Sequence, residues 1–85
     1  WFLLAAEQGD EKAQSNLGVR YQLGQGVPKN VVIANMWYLL ATANGSDIGA
    51  KNGRDIEKKM TPSQIADAQG LARKCMAQNY KNCGR

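Results

Sequence analysis

Histidine is absent from the 85 residues, and with it the side chain that most often serves as a general base or a metal ligand near neutral pH. No apolar run approaches the roughly 20 residues that a membrane-spanning helix needs. Residues 51–74 carry basic side chains but no aromatic ones, whereas surfaces that bind single-stranded nucleic acid combine the two. We therefore expect neither a histidine-dependent enzyme, nor a membrane-inserted protein, nor a nucleic-acid-binding protein.

Signatures of cofactor and metal sites are missing as well. Gly24-Gln25-Gly26 lacks the third glycine and the preceding strand of a dinucleotide site. Two cysteines without histidine cannot form a four-ligand zinc site alone. The acidic residues show no spacing that a catalytic site requires. We predict a protein without catalytic residues, cofactor or metal.

The net charge of +4 is unevenly distributed along the chain. Residues 1–50 carry three basic and four acidic side chains, a net charge of −1, whereas residues 51–85 carry eight basic and three acidic ones, a net charge of +5. The basic part favours an acidic partner or an anionic surface. A solvated charged face explains the same pattern without any partner.

A segment at the start of the chain recurs 36 residues later: residues 1–9 read WFLLAAEQG and residues 37–45 read WYLLATANG. Periods of roughly 20 to 50 residues are typical of solenoids, whose repeats stack on one another and present a binding surface. Because Trp1 already corresponds to the second helix of a hairpin, we expect further repeats, and any signal peptide, to precede it. Trp1, Tyr21, Trp37 and Tyr38 are expected to pack between helices.

Helix boundaries follow from caps and breakers. Asp10 is a candidate N-cap for a helix ending at Leu23, before Gly24 and Gly26. A second helix is predicted from about Asn30 to Ala43, and a polar third one from Asp47 to Lys59. Thr61, Pro62 and Gln64 form the start signal of a final helix. The apolar face predicted for that helix contains Ile65, Ala68, Leu71, Ala72, Cys75 and Met76, and its polar face contains Asp67, Gln69, Arg73, Lys74 and Gln78.

These residues resemble the Sel1-like repeats, relatives of the tetratricopeptide repeats. The pattern that carries the resemblance comprises Ala13-Gln14, Leu17-Gly18, Tyr21, Gly24, Gly26-Val27, Ala34, Trp37-Tyr38, Ala41 and Gly45, and residues 60–72 look like the terminal segment common in bacterial members. The resemblance implies an all-α solenoid of antiparallel helix hairpins with a C-terminal capping helix. It divides the chain into the end of a repeat (1–9), a full repeat (10–45), a degenerate repeat helix (46–60), the capping helix (61–78) and a tail (79–85).

The family resemblance implies a non-catalytic adaptor that binds a protein or peptide through its helical groove, often in bacterial envelope or signalling contexts. Two other functions stay open. One is an envelope-associated regulator or inhibitor that docks on an enzyme through the basic part of the chain. The other is a module that binds a small ligand such as a cell-wall fragment. The N-terminal end around Trp1 is also a candidate for self-association.

The two cysteines, Cys75 and Cys83, are separated by seven residues. Cys75 falls on the apolar face of the last helix, so a buried free thiol is one possibility. The other is a disulfide that pins the tail, with Asn79 and Gly84 allowing the chain to turn back. The spacing resembles that of exported, cysteine-rich Sel1-like proteins, which implies a disulfide and a periplasmic or secreted location; free thiols would place the protein in the cytoplasm.

In related helical repeats the first helix of each hairpin lines the concave surface. That relationship selects eight candidate partner-binding residues: Lys12, Ser15, Asn16, Val19, Gln22, Lys51, Asn52 and Asp55. Asn16 recurs as Asn52 in the 36-residue register. We expect their side-chain amides to hold the backbone of a bound peptide; ordinary solvated helix positions are the alternative.

Overall fold

The computed structural model describes residues 2–81 and 83, with side chains from residue 5 onward. These residues form α1 (Phe2–Glu7), α2 (Glu11–Leu23), α3 (Val31–Ala43), α4 (Asp47–Glu57) and α5 (Pro62–Ala77), and no strand occurs among them. The all-α fold class is confirmed. Trp1, and with it the candidate self-association site, lies outside the described residues, as does Gly84.

Short polar side chains begin the helices because they satisfy backbone N–H groups that have no partner within the helix. Asp10 Oδ1 accepts from the backbone nitrogens of Lys12 and Ala13 at 2.9 and 3.1 Å. Asn30 caps α3 in the same way. Thr61 and Gln64 form the expected capping box at the start of α5. The predicted cap at Asp10 and the start signal at Thr61 are therefore confirmed.

Helix α3 is the centre of the fold. It forms an antiparallel hairpin with α2 and packs against α4 and α5, while α1 packs on α2. Its fully buried side chains include Met36, Trp37, Tyr38 and Leu40. The prediction that Trp37 and Tyr38 belong to the core is confirmed, and Tyr21 is half-buried beside them.

One detail of the second half of the chain differs from expectation, since helix α4 ends at Glu57 rather than Lys59. Helices α4 and α5 each pack along α3. The glycines of α4 allow its close packing on α3, since a Cβ at position 49 would lie 2.8 Å from Ala41 Cβ.

The apolar face of α5 is narrower than predicted. Ala68, Ala72 and Cys75 are buried, but Leu71 and Met76 are exposed to 37% and 42%. Small side chains allow α5 to lie close to α3, and this approach leaves the larger neighbours at the edge of the contact. The polar face of α5 is exposed, as expected of a helix that caps a repeat array.

Candidate functional site

The candidate partner-binding residues lie on α2 and α4. Lys12 and Asn16 on α2, and Lys51 and Asp55 on α4, are exposed. The other members, with the exception of Ser15, are half-buried: Val19, Gln22 and Asn52. Among the described residues, Ser15 and Gln22 are the two members of this set whose side chains have a hydrogen bond within the protein, and the others have neither a hydrogen bond nor an ion pair. Most of the predicted set is therefore available to a partner.

Ser15 must be removed from the candidate surface. It is only 5% exposed, and its Oγ lies 2.9 Å from Ser46 Oγ, where either hydroxyl can donate. A Cβ at position 49 would lie 3.2 Å from the same Ser15 atom. Ser15 thus occupies the contact between α2 and the start of α4, and its role is to join the two helices.

This contact makes the exposed faces of α2 and α4 neighbours. Positions 12, 16, 19 and 23 share one face of α2, and positions 48, 52 and 55 share one face of α4, because they are three or four residues apart. We call the residues at these seven positions, together with Lys51, the α2–α4 surface. It combines two amides, two lysines and an aspartate with apolar side chains.

Sequence reasoning missed two members of the α2–α4 surface. Leu23 is 59% exposed and Ile48 is 66% exposed, the largest exposures among the big apolar side chains that the structure describes. Ile48 lies one turn before Asn52, and Leu23 one turn after Val19. Their helical spacing from the predicted residues was the signal that could have identified them.

Gln22 has a structural role, because its amide oxygen is engaged inside the protein. Its Oε1 accepts the Tyr38 hydroxyl at 2.6 Å. Burial raises the pKa of Tyr38 from 10.0 to about 12, so this hydroxyl remains a donor throughout the physiological range. The bond fixes the side chain of Gln22 at the border of the α2–α4 surface.

A small groove of about 150 Å³ lies between α3 and α4. Its wall includes Tyr38, Gly53 and Glu57. Behind it, the buried Asn35 donates through Nδ2 to Glu57 Oε2 at 3.1 Å, whereas Asn35 Oδ1 has no partner among the described atoms. A larger, open groove of about 460 Å³ lies along α5, lined by Val32, Ala66, Asp67, Gly70, Leu71 and Lys74.

Basic side chains cover the second half of the described chain. Seven are exposed and make no ion pair within the described residues: Lys51, Arg54, Lys58, Lys59, Arg73, Lys74 and Lys81. No group of three or more potential metal ligands occurs among the described residues. None of the helices within residues 2–81 combines the length and apolar character needed to cross a membrane.

The tail after α5 is anchored by the disulfide between Cys75 and Cys83, whose Cα atoms are 5.4 Å apart. Asn79 and Tyr80 turn the chain back with φ angles of 55° and 64°. Both cysteines lie in the core cluster around Trp37. The prediction of a disulfide, rather than free thiols, is confirmed in this structure.

Tyr80 connects the anchored tail to a chain of hydrogen bonds inside the fold. Its hydroxyl lies 3.5 Å from Asn44 Oδ1 and donates to it. Asn44 Nδ2 donates to Gln14 Oε1 and to the Leu40 carbonyl, both at 3.0 Å. Gln14 Nε2 donates to the Ala6 carbonyl at 3.0 Å. We call the side chains of Gln14, Asn44 and Tyr80 the polar clamp, since they tie α1, α2 and α3 to the tail.

Comparison with known protein families matches residues 1–10 and 11–46, more than half of the chain, to the Sel1 repeat. The second match contains the whole of α2, the glycine-containing turn and α3. No curated protein matches the chain.

Proposed function

The chain belongs to the Sel1 repeat family, whose repeats are generally protein–protein interaction modules, and we propose that it binds an extended peptide segment of a protein partner on the α2–α4 surface. Family members are typically non-catalytic scaffolds, and the proposed role is likewise that of an adaptor. One observation carries the proposal: two adjacent helices present the exposed amide of Asn16 and the half-buried amide of Asn52 beside the exposed apolar side chains of Leu23 and Ile48.

The chemistry of the surface supports a peptide ligand. Asn16 and Asn52 can each donate to and accept from a peptide backbone, which needs no particular side chain in the partner. Leu23 and Ile48 offer apolar contact at the two ends of the surface, and such contacts contribute to affinity by removing apolar area from water. Lys12, Lys51 and Asp55 would then select charged partner residues.

The disulfide supports an extracytoplasmic location. Disulfides persist in oxidising compartments and are rare in the cytosol. We therefore propose a periplasmic or extracellular location, with an envelope or secreted protein as the partner. Counting free thiols by alkylation and intact mass, in protein taken from its native host, tests this location.

The binding surface is tested with two double variants. Asn16→Ala with Asn52→Ala removes both amides, whereas Gln69→Ala with Lys74→Ala removes two exposed side chains of α5 as a control. A partner captured with the full-length protein should bind the first variant about thirtyfold more weakly, because each of the two lost hydrogen bonds contributes about 1 kcal/mol. Equal affinities of the two variants, with both folds intact, would exclude the proposed surface.

One observation favours a second candidate function. The seven exposed basic residues without ion pairs suit a regulator that docks on an acidic protein surface. In that case complex formation should weaken steeply with added salt, because exposed charges are screened within about 8–10 Å at physiological ionic strength. If the chain binds a peptide on the α2–α4 surface, the affinity should depend less on salt and should fall more when Asn16 and Asn52 are replaced.

A further inference from the structure

Asn44 is followed by Gly45 at the end of α3, and the chain contains one other Asn-Gly pair, Asn52–Gly53 inside α4. Asn-Gly pairs are prone to deamidation because glycine has no side chain to hinder the approach of its backbone nitrogen to the preceding side-chain amide carbon. Asn44 is half-buried and Gly45 is exposed with φ 96°. The two pairs share the same reactive dipeptide but occupy different environments.

Hydrogen bonds hold the reacting groups of Asn44 and Gly45 apart. Asn44 Nδ2, the leaving group in deamidation, donates to Gln14 Oε1 and to the Leu40 carbonyl. Gly45 N, the attacking atom, donates to the Thr42 carbonyl at 3.0 Å. The Tyr80 hydroxyl lies 3.3 Å from Nδ2 and 3.5 Å from Oδ1 of Asn44. Cyclisation requires the Asn44 side chain to leave these partners.

The position of Tyr80 depends on the disulfide. Asn79 and Tyr80 both adopt the left-handed region, with φ of 55° and 64°, which side-chain-bearing residues enter at a cost. The bond between Cys75 and Cys83 spans this turn and keeps both ends in place. A cleaved disulfide would let the turn relax and Tyr80 leave Asn44.

We propose that Asn44–Gly45 is a deamidation site that the disulfide-anchored tail keeps closed through Tyr80. When the site opens, Gly45 N attacks Asn44 Cγ, the N–Cγ bond forms and the Cγ–Nδ2 bond breaks. The proton of Gly45 N goes to Nδ2, which leaves as ammonia. Water then opens the resulting succinimide at either carbonyl, giving aspartate or isoaspartate at position 44 without any change of oxidation state.

The product cannot restore the polar clamp. An ionised carboxylate only accepts hydrogen bonds, and it would face two further acceptors, Gln14 Oε1 and the Leu40 carbonyl, where the amide donated. Gln14 is fully buried, so its oxygen would be left without a donor, which is costly in the protein interior. Deamidation would therefore fix the clamp in an open state.

The pair Asn52–Gly53 provides an internal control. Gly53 lies in the middle of α4, where its backbone N–H belongs to the helical hydrogen-bond pattern. It is independent of Tyr80 and the disulfide. In a globally unfolded chain both asparagines would react, since each precedes a glycine. The ratio of the deamidation rates at Asn44 and Asn52 therefore distinguishes opening of the clamp from unfolding of the whole fold.

The test incubates the oxidised protein and the protein reduced with a dithiol at mildly alkaline pH, and follows both asparagines by peptide mass spectrometry after cleavage at Lys51. The mass gain of about one dalton at Asn44 should appear about tenfold faster in the reduced protein, as loss of the Tyr80 contact and its anchored turn predicts. Asn52 should react slowly in both. Equal rates at Asn44 in the two forms would overturn the proposal, as would a parallel rise at Asn52.

A second comparison keeps the disulfide intact. Tyr80→Phe removes the hydroxyl that touches Asn44, whereas Tyr21→Phe removes a hydroxyl without a hydrogen-bond partner among the described residues. Deamidation at Asn44 should accelerate several-fold in Tyr80→Phe alone. No acceleration in Tyr80→Phe, or equal acceleration in both variants, would show that the clamp does not control the site.

Discussion

The aromatic ring of Tyr38 occupies the space that the missing side chain of Gly18 leaves on α2. A Cβ at position 18 would lie 2.9 Å from Tyr38 Cζ and closer still to two other ring carbons. The ring is fully buried, and its hydroxyl donates to Gln22, one turn further along α2. Gly53 on α4 also faces Tyr38, since its Cβ would lie 3.4 Å from Tyr38 Cβ. Tyr38 therefore sets the distances at which α2 and α4 pack on α3.

Gly18→Ala should destabilise the protein by about 1–3 kcal/mol, because the added methyl group overlaps a buried ring whose hydroxyl is held by Gln22. Gly70→Ala on α5 is the matched control. Its Cβ would meet only the end of the Arg73 side chain, at 3.9 Å, so the better helix propensity of alanine should stabilise the fold by about 0.5–1 kcal/mol. Urea unfolding of both variants measures the two effects, and a harmless Gly18→Ala would contradict the packing described here.

Tyr38 should also make stability depend on pH in the alkaline range. Its pKa is about 12 in the folded protein and 10.0 ordinarily, so the folded state keeps a proton that the unfolded chain loses. The resulting stabilisation is fully present below pH 10 and is lost as pH rises through 12. The stabilisation is of the order of 3 kcal/mol.

The check on Tyr38 is the difference in unfolding free energy between the wild-type protein and Tyr38→Phe. The wild-type protein should lose unfolding free energy between pH 9 and pH 12 because Tyr38 ionises more readily in the unfolded chain, whereas the phenylalanine variant has no such group. The unfolding free energy of the wild-type protein relative to the variant should therefore fall from pH 9 towards pH 12. A difference that stays constant over this range would mean that Tyr38 ionises equally in both states.

Gln14 and Asn35 are both fully buried, yet substitutions there should act in opposite directions. Gln14→Leu removes two buried hydrogen bonds, the one to the Ala6 carbonyl and the one from Asn44 Nδ2, at a cost of about 1–3 kcal/mol. Asn35→Leu removes an oxygen that already lacks a partner, and the half-exposed Glu57 can bond to water instead.

Asn35→Leu should therefore be neutral or stabilise the protein by up to about 1 kcal/mol. Thermal unfolding of the two leucine variants side by side gives the comparison. If Asn35→Leu were as damaging as Gln14→Leu, the Asn35 oxygen would have to be satisfied in solution, and the account of the α3–α4 groove would need revision.

Replacing Cys75 and Cys83 by serine should lower stability by about 2–3 kcal/mol, since the disulfide closes a loop with a sequence separation of 8. The reduced wild-type protein should lose a similar amount, because both lack the same constraint on the unfolded chain. Unfolding curves in the presence and absence of reductant test this. Insensitivity of the wild-type protein to reductant would show that the bond is not formed in solution.

Local features of the fold were predictable because their causes lie within a few residues. The caps at Asp10 and Thr61 depend on side chains that bond to the next turn, and α5 begins where its sequence predicts. The disulfide was anticipated from spacing and family resemblance together. The end of α4 was predicted two residues too late, because polar residues that suit a helix continue past its last packed turn.

Long-range contacts could not be predicted from the sequence. Ser15 was assigned to the partner surface, but the residue that buries it is Ser46, 31 positions away. The bond between Asn44 and Tyr80 spans 36 positions. Nothing in the local pattern shows that two glycines would bring α4 so close to α3, or that small side chains would leave Leu71 exposed on α5.

The measurement that tests the proposed binding surface most directly is a nuclear magnetic resonance titration of the isotope-labelled protein with its captured partner. The side-chain amide signals of Asn16 and Asn52 report on the α2–α4 surface, and those of Gln69 and Gln78 report on α5 and the tail. The account predicts that the first two signals shift on binding while the second two do not. Shifts confined to Gln69 and Gln78 would contradict it and place the partner on the basic, C-terminal side of the fold.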